Sequence, residues 1–231
     1  MKLEQTFTMA EKKVVLPYTP TREYEVEPVG ELPRKPVYEL VKRCFDVLFS
    51  ACLLLLLALP MLVIGLAVKI TSPGPALYTQ ERLGKDGKKI NICKFRTMVS
   101  DSEIDTIRWS YDEDPRVTPL GRILRNYHID ELPQLWDIFR GVLSFVGPRP
   151  EREVFYDAFE TYIHGFRQRL KVKPGLTGLA QVTGGSMMPP EEKIVCDMEY
   201  IRNRSVVLDL KLIIKTVVVV LGKAFGNEQR K

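Results

Sequence analysis

The sequence predicts a membrane-associated, α-rich α+β chain: a re-entrant membrane helix plus a small cytosolic domain with a short β-hairpin and amphipathic surface helices. Three observations carry that reading. An uncharged apolar run extends over 47–68 and holds Pro60 within it. Apolar residues recur at helical spacing over much of the remaining chain, as at Leu132, Leu135, Trp136 and Phe139. Over 76–98, turn residues separate short segments of alternating apolar and polar character, the pattern of a small hairpin.

Length and charge narrow the field. With 231 residues there is room for one domain of ordinary size plus appendages, and enough chain to bury a core. The formal charge of +5, from 34 basic against 29 acidic residues, suits an anionic membrane surface or phosphorylated substrates. Basic patches interleaved with aromatics are absent and no nucleic-acid module is recognisable, so nucleic acid is not an expected partner. The four cysteines, Cys44, Cys52, Cys93 and Cys196, lack C-x-x-C spacing and read as reduced thiols in a cytosol-facing protein.

Residues 1–36 mix charges with Pro17, Pro20, Pro28, Pro33 and Pro36 and show no sustained periodicity, the pattern of a flexible or extended N-terminal extension. No apolar stretch follows the initiating residues, so this segment is not read as a secretory signal. Segment 37–72 is the membrane helix. At ~1.5 Å per residue its apolar run is long enough for a ~30 Å hydrocarbon core. Pro60, however, removes a donor and frees the carbonyl of Leu56, so a bend is expected there. Arg34, Lys35, Lys42 and Arg43 precede the run and Lys69, Arg82, Lys85, Lys88 and Lys89 follow it, which removes the charge asymmetry that would orient a span. A re-entrant helix with both ends cytosolic accounts for both features; the alternative is a single-pass anchor with a tolerated proline.

Residues 73–231 form the cytosolic domain. In its hairpin, Lys94 and Arg96 are two apart and are expected on one strand face, either as solvated charges or as a phosphate-facing pair. Residues 99–113 read as a polar helix or loop, closed by a turn at Asp112-Glu113-Asp114-Pro115-Arg116, whose acids signal a metal site only weakly. Arg122 and Arg125 lie one helical turn apart and bring positive charge towards the next stretch. There Asp130 and Glu131 stand before Leu132-Pro133, and proline is tolerated in the first turn of a helix. A helix is therefore expected to start at the acid pair and to stop at Gly141. Acids at a helix start complement its dipole by about 0.3–1 kcal/mol whatever else they do. Gly147-Pro148-Arg149-Pro150 holds one guanidinium between two residues of fixed φ, a geometry for gripping phosphate or carboxylate, or for a plain surface turn.

The C-terminal third continues the pattern. A helix is expected over 151–170 from the spacing of Val154, Phe155, Ala158, Phe159, Tyr162 and Phe166. A glycine-punctuated loop follows over 173–182, where Gly175 and Gly178 would let backbone approach a ligand or simply turn the chain. Residues 206–221 are apolar but interrupted by Asp209, Lys211 and Lys215. They read as an amphipathic helix lying on the bilayer or packed on the first helix, not as a second span.

Several motifs stand in one register over roughly 38–222: Lys42-Arg43-Cys44-Phe45-Asp46, Ser72-Pro73-Gly74-Pro75, Lys94-Phe95-Arg96-Thr97-Met98, Asp114-Pro115-Arg116-Val117-Thr118, the stretch 130–136, Gly147-Pro148-Arg149-Pro150 and the stretch 173–182. With them the chain resembles the bacterial sugar transferases, the monotopic polyprenyl-phosphate phosphoglycosyl transferases. The fold class rests mostly on that resemblance. It implies a re-entrant helix in the cell (inner) membrane at its cytoplasmic face. It further implies transfer of a sugar-1-phosphate from a UDP-sugar to undecaprenyl (polyprenyl) phosphate with release of UMP, the first membrane step of exopolysaccharide, capsule or O-antigen-type glycan assembly. Asp130 is then the catalytic nucleophile that carries a covalent phosphosugar, and Glu131 its catalytic neighbour and a ligand to Mg²⁺. Arg149 binds phosphate, with Lys94, Arg96 and Arg125 as further phosphate-binding candidates. Val142, where the family often has an acid, and Leu59, where some members have serine, depart from the pattern without touching the nucleophile. The same residues admit two other readings, a metal-dependent membrane phosphohydrolase and a non-catalytic membrane-tethered scaffold whose acids are helix caps.

Overall fold

The apolar run forms the middle of one 36-residue helix, α1 (Pro36–Thr71), in the computed structural model of the chain. The structure describes residues 5–9, 12–16, 22–99, 106–108, 114–185 and 188–224. Pro36 opens α1, where a missing N–H goes unnoticed, and the helix continues through Pro60 to Ser72. One stripe of it faces inward along nearly its whole length. Phe45, Asp46, Ser50, Leu53, Leu54 and Leu57, then Met61, Ile64 and Val68, recur at successive turns and pack on the rest of the chain. The outer stripe is bare: Leu55 and Ile70 are 82% and 83% exposed, and Leu48, Leu59, Leu62 and Leu66 are also uncovered. By length and composition α1 is apolar enough to cross a membrane.

Before α1, strands β1 (Gln5–Met9) and β2 (Lys12–Leu16) pair antiparallel. The short β3 (Tyr24–Glu25) belongs to an extended strap: Tyr24 donates to the Tyr162 carbonyl, Val26 to that of His164 and Val29 to the Gln168 side chain. After α1 comes the expected hairpin, β4 (Leu77–Leu83) against β5 (Lys89–Phe95), with Leu77 opposite Phe95 and Leu83 opposite Lys89. Of the segment 99–113, β6 (Thr106–Arg108) runs parallel to β2, and 100–105 and 109–113 lie outside the described residues. Helix α2 (Pro119–Asn126) is capped by Thr118, whose Oγ1 accepts from the Gly121 N–H at 3.0 Å. A 3₁₀ turn over Ile129–Glu131 then leads into α3 (Gln134–Arg140).

The second half departs from expectation in two places. No single helix covers 151–170. Strand β7 (Ser144–Val146) is followed by α4 (Glu153–Glu160), then β8 (Ile163–His164) beside β3, then a 3₁₀ helix over Phe166–Lys171. Gly165 at φ +93° turns the chain there, and its N–H is held by the Glu160 carboxylate at 2.8 Å. The apolar spacing misled because helix, turn and 3₁₀ helix all return a side chain to the core every three to four residues. The 173–182 loop, in turn, contains β9 (Gly175–Thr177), parallel to β7, and α5 (Leu179–Gly184). Helix α6 (Pro190–Asn203), not anticipated, and α7 (Val206–Ala224) complete a mostly helical chain whose strands are all short. Phe155, Tyr156, Phe159, Ile163 and Phe166 meet Ile138, Leu143, Ile194, Ile201 and Leu212 in one core.

Three charges on the first turns of α1 fix the segment that follows α2. Arg43 donates to the carbonyls of Ile138 and Phe139 at the end of α3, at 2.9 and 2.8 Å. The buried Asp46 accepts from Ser144 Oγ and the Phe145 N–H, and Lys42 donates to the Val146 carbonyl. Lys42 also pairs with Asp209 of α7 at 2.7 Å. Asp46→Ala leaves Ser144 and Phe145 with buried, unmet donors and is expected to cost about 2–4 kcal/mol. Denaturant unfolding of the purified variant in detergent measures that cost; a change below about 0.5 kcal/mol contradicts it.

Candidate active site

The turn before α3 brings four of the sequence-predicted residues together. His128 adopts φ +56°, which ends α2 and re-aims the chain so that Asp130 and Glu131 sit in the 3₁₀ turn, both buried. The acid pair was expected to open a helix. Instead α3 starts at Gln134, after Pro133, and the carboxylates stand one tight turn ahead of it.

Glu131 is clamped by two cations from distant segments. Lys94 of β5 donates to its Oε1 at 2.6 Å, and Arg149 donates from Nη1 to Oε2 at 3.1 Å and from Nη2 to Oε1. Such a fork on a carboxylate is bidentate and charge-assisted. Asp130, by contrast, accepts no hydrogen bond among the described residues. Its neighbours act through space: Arg125 of α2, whose Nε donates to Thr97 Oγ1 at 2.8 Å, is coupled to Asp130 and to the buried Asp114. Arg96 is not brought to this group. Its Nη2 donates to the carbonyl and hydroxyl of Ser72 at 2.7 and 2.9 Å and its Nη1 to the Pro73 carbonyl, so it fastens the end of α1 to β5. It lies at the open end of the hairpin, beside the Ser72-Pro73 segment that leaves α1, and two-residue spacing from Lys94 carries no information about which neighbours each end of the strand meets.

The two carboxylates are driven apart electrically. Burial disfavours a charge on Glu131, yet Arg149 and Lys94 outweigh it and hold that carboxyl well below the usual range. Burial and then the Glu131 charge push Asp130 up to about 6, against the pull of Lys94, Arg149 and Arg125. Lys94 is itself lowered by burial. At neutral pH the site therefore presents one caged carboxylate and one free, ionised and unusually basic one.

Close backbone packing sets the height of Arg149. A Cβ on Gly175 would lie 2.1 Å from the Gly147 nitrogen, and one on Gly178 would lie 2.3 Å from the Gly147 oxygen. These glycines thus meet backbone, not ligand space, and let β9 press against the turn that carries Arg149. Among the described residues no group of three or more His, Cys, Asp or Glu is poised around a metal. Both Glu131 oxygens already accept from Lys94 and Arg149, so an Mg²⁺ ion at the acid pair would share Glu131 with those cations and take most of its other ligands from phosphate oxygens and water.

Sequence reading noted Lys42, Arg43 and Asp46 as a motif and Arg82 as a flanking charge without giving them a part in this group, and it missed Glu151, Arg169, Lys193 and Asp197 behind Arg149. Asp197 was findable. It shares an apolar helical stripe with Ile194, Met198 and Ile201, and an acid there needs a buried cation.

Comparison with known proteins gives a consistent picture. A family model described as bacterial sugar transferase matches residues 37–223. The UDP-glucose:undecaprenyl-phosphate glucose-1-phosphate transferase of Escherichia coli (strain K12) is 39% identical over 197 residues, 83% of this chain and 42% of that protein. A UDP-N-acetylgalactosamine-undecaprenyl-phosphate N-acetylgalactosaminephosphotransferase of Aeromonas hydrophila is 37% identical over 196 residues, 84% of this chain and 46% of that protein. The exopolysaccharide production protein PSS of Rhizobium leguminosarum bv. phaseoli is 39% identical over 196 residues, 81% of this chain and 98% of that protein. The chain thus spans less than half the length of the first two and nearly all of the third.

The raised Asp130 carboxyl has a stability consequence with a definite sign. A folded-state value near 6 against an ordinary 3.8 favours the folded form while the group is protonated, and that advantage is lost as pH rises from about 4 through 6. In the presence of a chelator at pH 7.5, Asp130→Asn is therefore expected to be more stable than the wild type by roughly 1–3 kcal/mol. The difference should close below about pH 4 in thermal or denaturant unfolding.

Proposed function

The chain belongs to the bacterial sugar transferase family, and we propose that it transfers a sugar-1-phosphate from a UDP-sugar to undecaprenyl phosphate through a covalent intermediate on Asp130. The observation that carries this reading is the division of labour in the acid pair: Glu131 is locked to Lys94 and Arg149 while Asp130 is ionised, basic and unengaged. That is the state a carboxylate nucleophile needs. The relatives' names supply the substrate class, and their different sugars leave the hexose open.

The geometry supports the following steps. The donor's diphosphate enters a site where Lys94, Arg149 and Arg125 face two carboxylates, so its charge finds an excess of cations. An Asp130 oxygen attacks the phosphorus next to the sugar. The bond from that phosphorus to the bridging oxygen breaks, its electron pair leaves with UMP, and the phosphosugar remains as an acyl phosphate on Asp130. A phosphate oxygen of the lipid acceptor then attacks the same phosphorus, and the electron pair of the broken bond returns to the Asp130 carboxylate. Mg²⁺, when bound, would be held by Glu131 together with the donor's diphosphate and would supply charge neutralisation there. Glu131 keeps its cations aimed at the site throughout, and donor and acceptor need never be bound together.

The same reading places α1 in the membrane as a re-entrant helix bent at Pro60, with the domain on the cytoplasmic face. Support comes from the inward stripe, which packs on the polar domain both before and after Pro60, and from the fastening of both helix ends to it by Arg43 and Arg96. Attachment of both ends to one domain supports a helix that returns to the side it came from.

Purified protein in nanodiscs with a UDP-sugar should release UMP, form glycolipid only when undecaprenyl phosphate is added, and retain label in the absence of acceptor. Asp130→Asn is expected to lower turnover by about 10³-fold or more. The wild-type rate should fall on the acid side below about pH 6 as Asp130 takes up a proton. UMP release without glycolipid points to a phosphohydrolase, and full activity in Asp130→Asn ends the nucleophile assignment. For topology, cysteines placed at Glu31 and Lys88, on either side of α1, should resist an impermeant maleimide in intact cells and react after permeabilisation. Labelling of either one from outside contradicts re-entrance.

A further inference from the structure

Four successive backbone carbonyls around Arg149 are each held by a donor from elsewhere in the fold. Pro148 O accepts from the Gly175 N–H at 3.0 Å, Arg149 O from Arg169 Nη2 at 2.8 Å, Pro150 O from Arg82 Nη1 at 3.2 Å and Glu151 O from the Leu83 N–H at 3.0 Å. Two of the four are guanidinium groups, Arg169 buried and Arg82 partly so. Among the described residues Arg169 is the largest side chain wholly removed from solvent, with Nε on Asp197 at 2.6 Å and its guanidinium 4.8 Å from the Phe166 ring centroid and 5.7 Å from that of Tyr156. Arg82 is tied to Glu151, which also receives Lys193 at 3.0 Å.

A buried ion pair is a poor source of stability, because desolvating two charges consumes most of their attraction and an apolar pair of equal volume often does as well. Geometry is what such a pair supplies. Proline on each side fixes φ at 148 and 150 but leaves ψ free, so the direction of the Arg149 side chain still depends on where its carbonyls are anchored. We propose that Arg169, oriented by Asp197, is a positioning residue that holds the Arg149 backbone so that its guanidinium meets Glu131 in the bidentate fork. Arg82, oriented by Glu151, holds the next carbonyl in the same way. The assignment rests on the reading of Asp130 and Glu131 as the transfer site.

The test is a double-mutant cycle on steady-state UMP release by the full chain in nanodiscs with UDP-sugar and acceptor. Arg169→Lys keeps a buried cation for Asp197 but loses the planar group that reaches Arg149 O. It should lower kcat about tenfold or more while melting within a few degrees of the wild type. In an Arg149→Lys background, where no fork remains to be aimed, the same substitution should cost less than about twofold. Lys89→Gln, which removes an exposed pair with Glu81 and Glu153, should stay at the wild-type rate. Where Arg169→Lys does not accumulate as folded protein, the near-isosteric Asp197→Asn takes its place in the cycle. Equal losses in both backgrounds overturn the proposal and leave Arg169 a purely structural residue. A wild type that releases no UMP overturns the functional reading instead.

Discussion

Everything near Asp130 depends on how three charged residues at the start of α1 are satisfied. Asp46 is buried, and a buried carboxylate must be answered by donors; here Ser144 Oγ and the Phe145 N–H answer it. Arg43 covers two carbonyls at the end of α3, and Lys42 takes the Val146 carbonyl. These contacts begin and end on either side of Gly141, so the segment from α3 through β7 cannot move without breaking bonds to the apolar helix. In the proposed membrane arrangement this makes the depth of α1 and the position of the acid pair one variable. Lipid phosphate lies at the headgroup level while a nucleotide sugar arrives through water, so a carboxylate serving both in turn must be held at that level.

Much of this was legible in the sequence, and the exceptions have two causes. The apolar run, the hairpin, the amphipathic C-terminal helix and the acid pair with its arginine all announce themselves through composition or spacing, which are local. Arg96 and the 151–170 segment misled because local spacing was the wrong guide: the first meets Ser72 and Pro73 at the end of α1, which spacing cannot show, and the second folds so that a turn preserves helical intervals. The support of Arg149 was invisible for another reason. Arg169 and Asp197 are separated by 28 positions, and only the packing of α6 on the 3₁₀ helix brings them within 2.6 Å. A buried cation and its acid look in sequence like two more surface charges.

The acid pair illustrates how neighbouring identical chemistry is made unequal. Two adjacent carboxylates repel each other as they ionise, and their surroundings decide which one keeps its charge. The fork from Arg149 and the ammonium of Lys94 fall on Glu131, whose charge then raises Asp130. Asp130 is thereby left less stable than it would be with partners of its own, a cost of the kind that functional sites carry at the expense of stability.

Glu131 also limits the attraction that its cations exert. Without it, Lys94, Arg149 and Arg125 would face Asp130 alone, lower its basicity and hold any bound phosphate the more tightly. Such a site would bind the donor well, transfer poorly and release UMP slowly, because attraction shared equally by substrate and transition state adds nothing to turnover. Interposing a second carboxylate keeps the cations in place, keeps Asp130 basic and trims the net charge towards the value a phosphodiester needs only while its leaving group departs. In the proposed transfer the arginine fork must hold its direction through two successive attacks. A proline on each side of Arg149 cannot ensure that by itself, and the four anchored carbonyls behind it meet that demand.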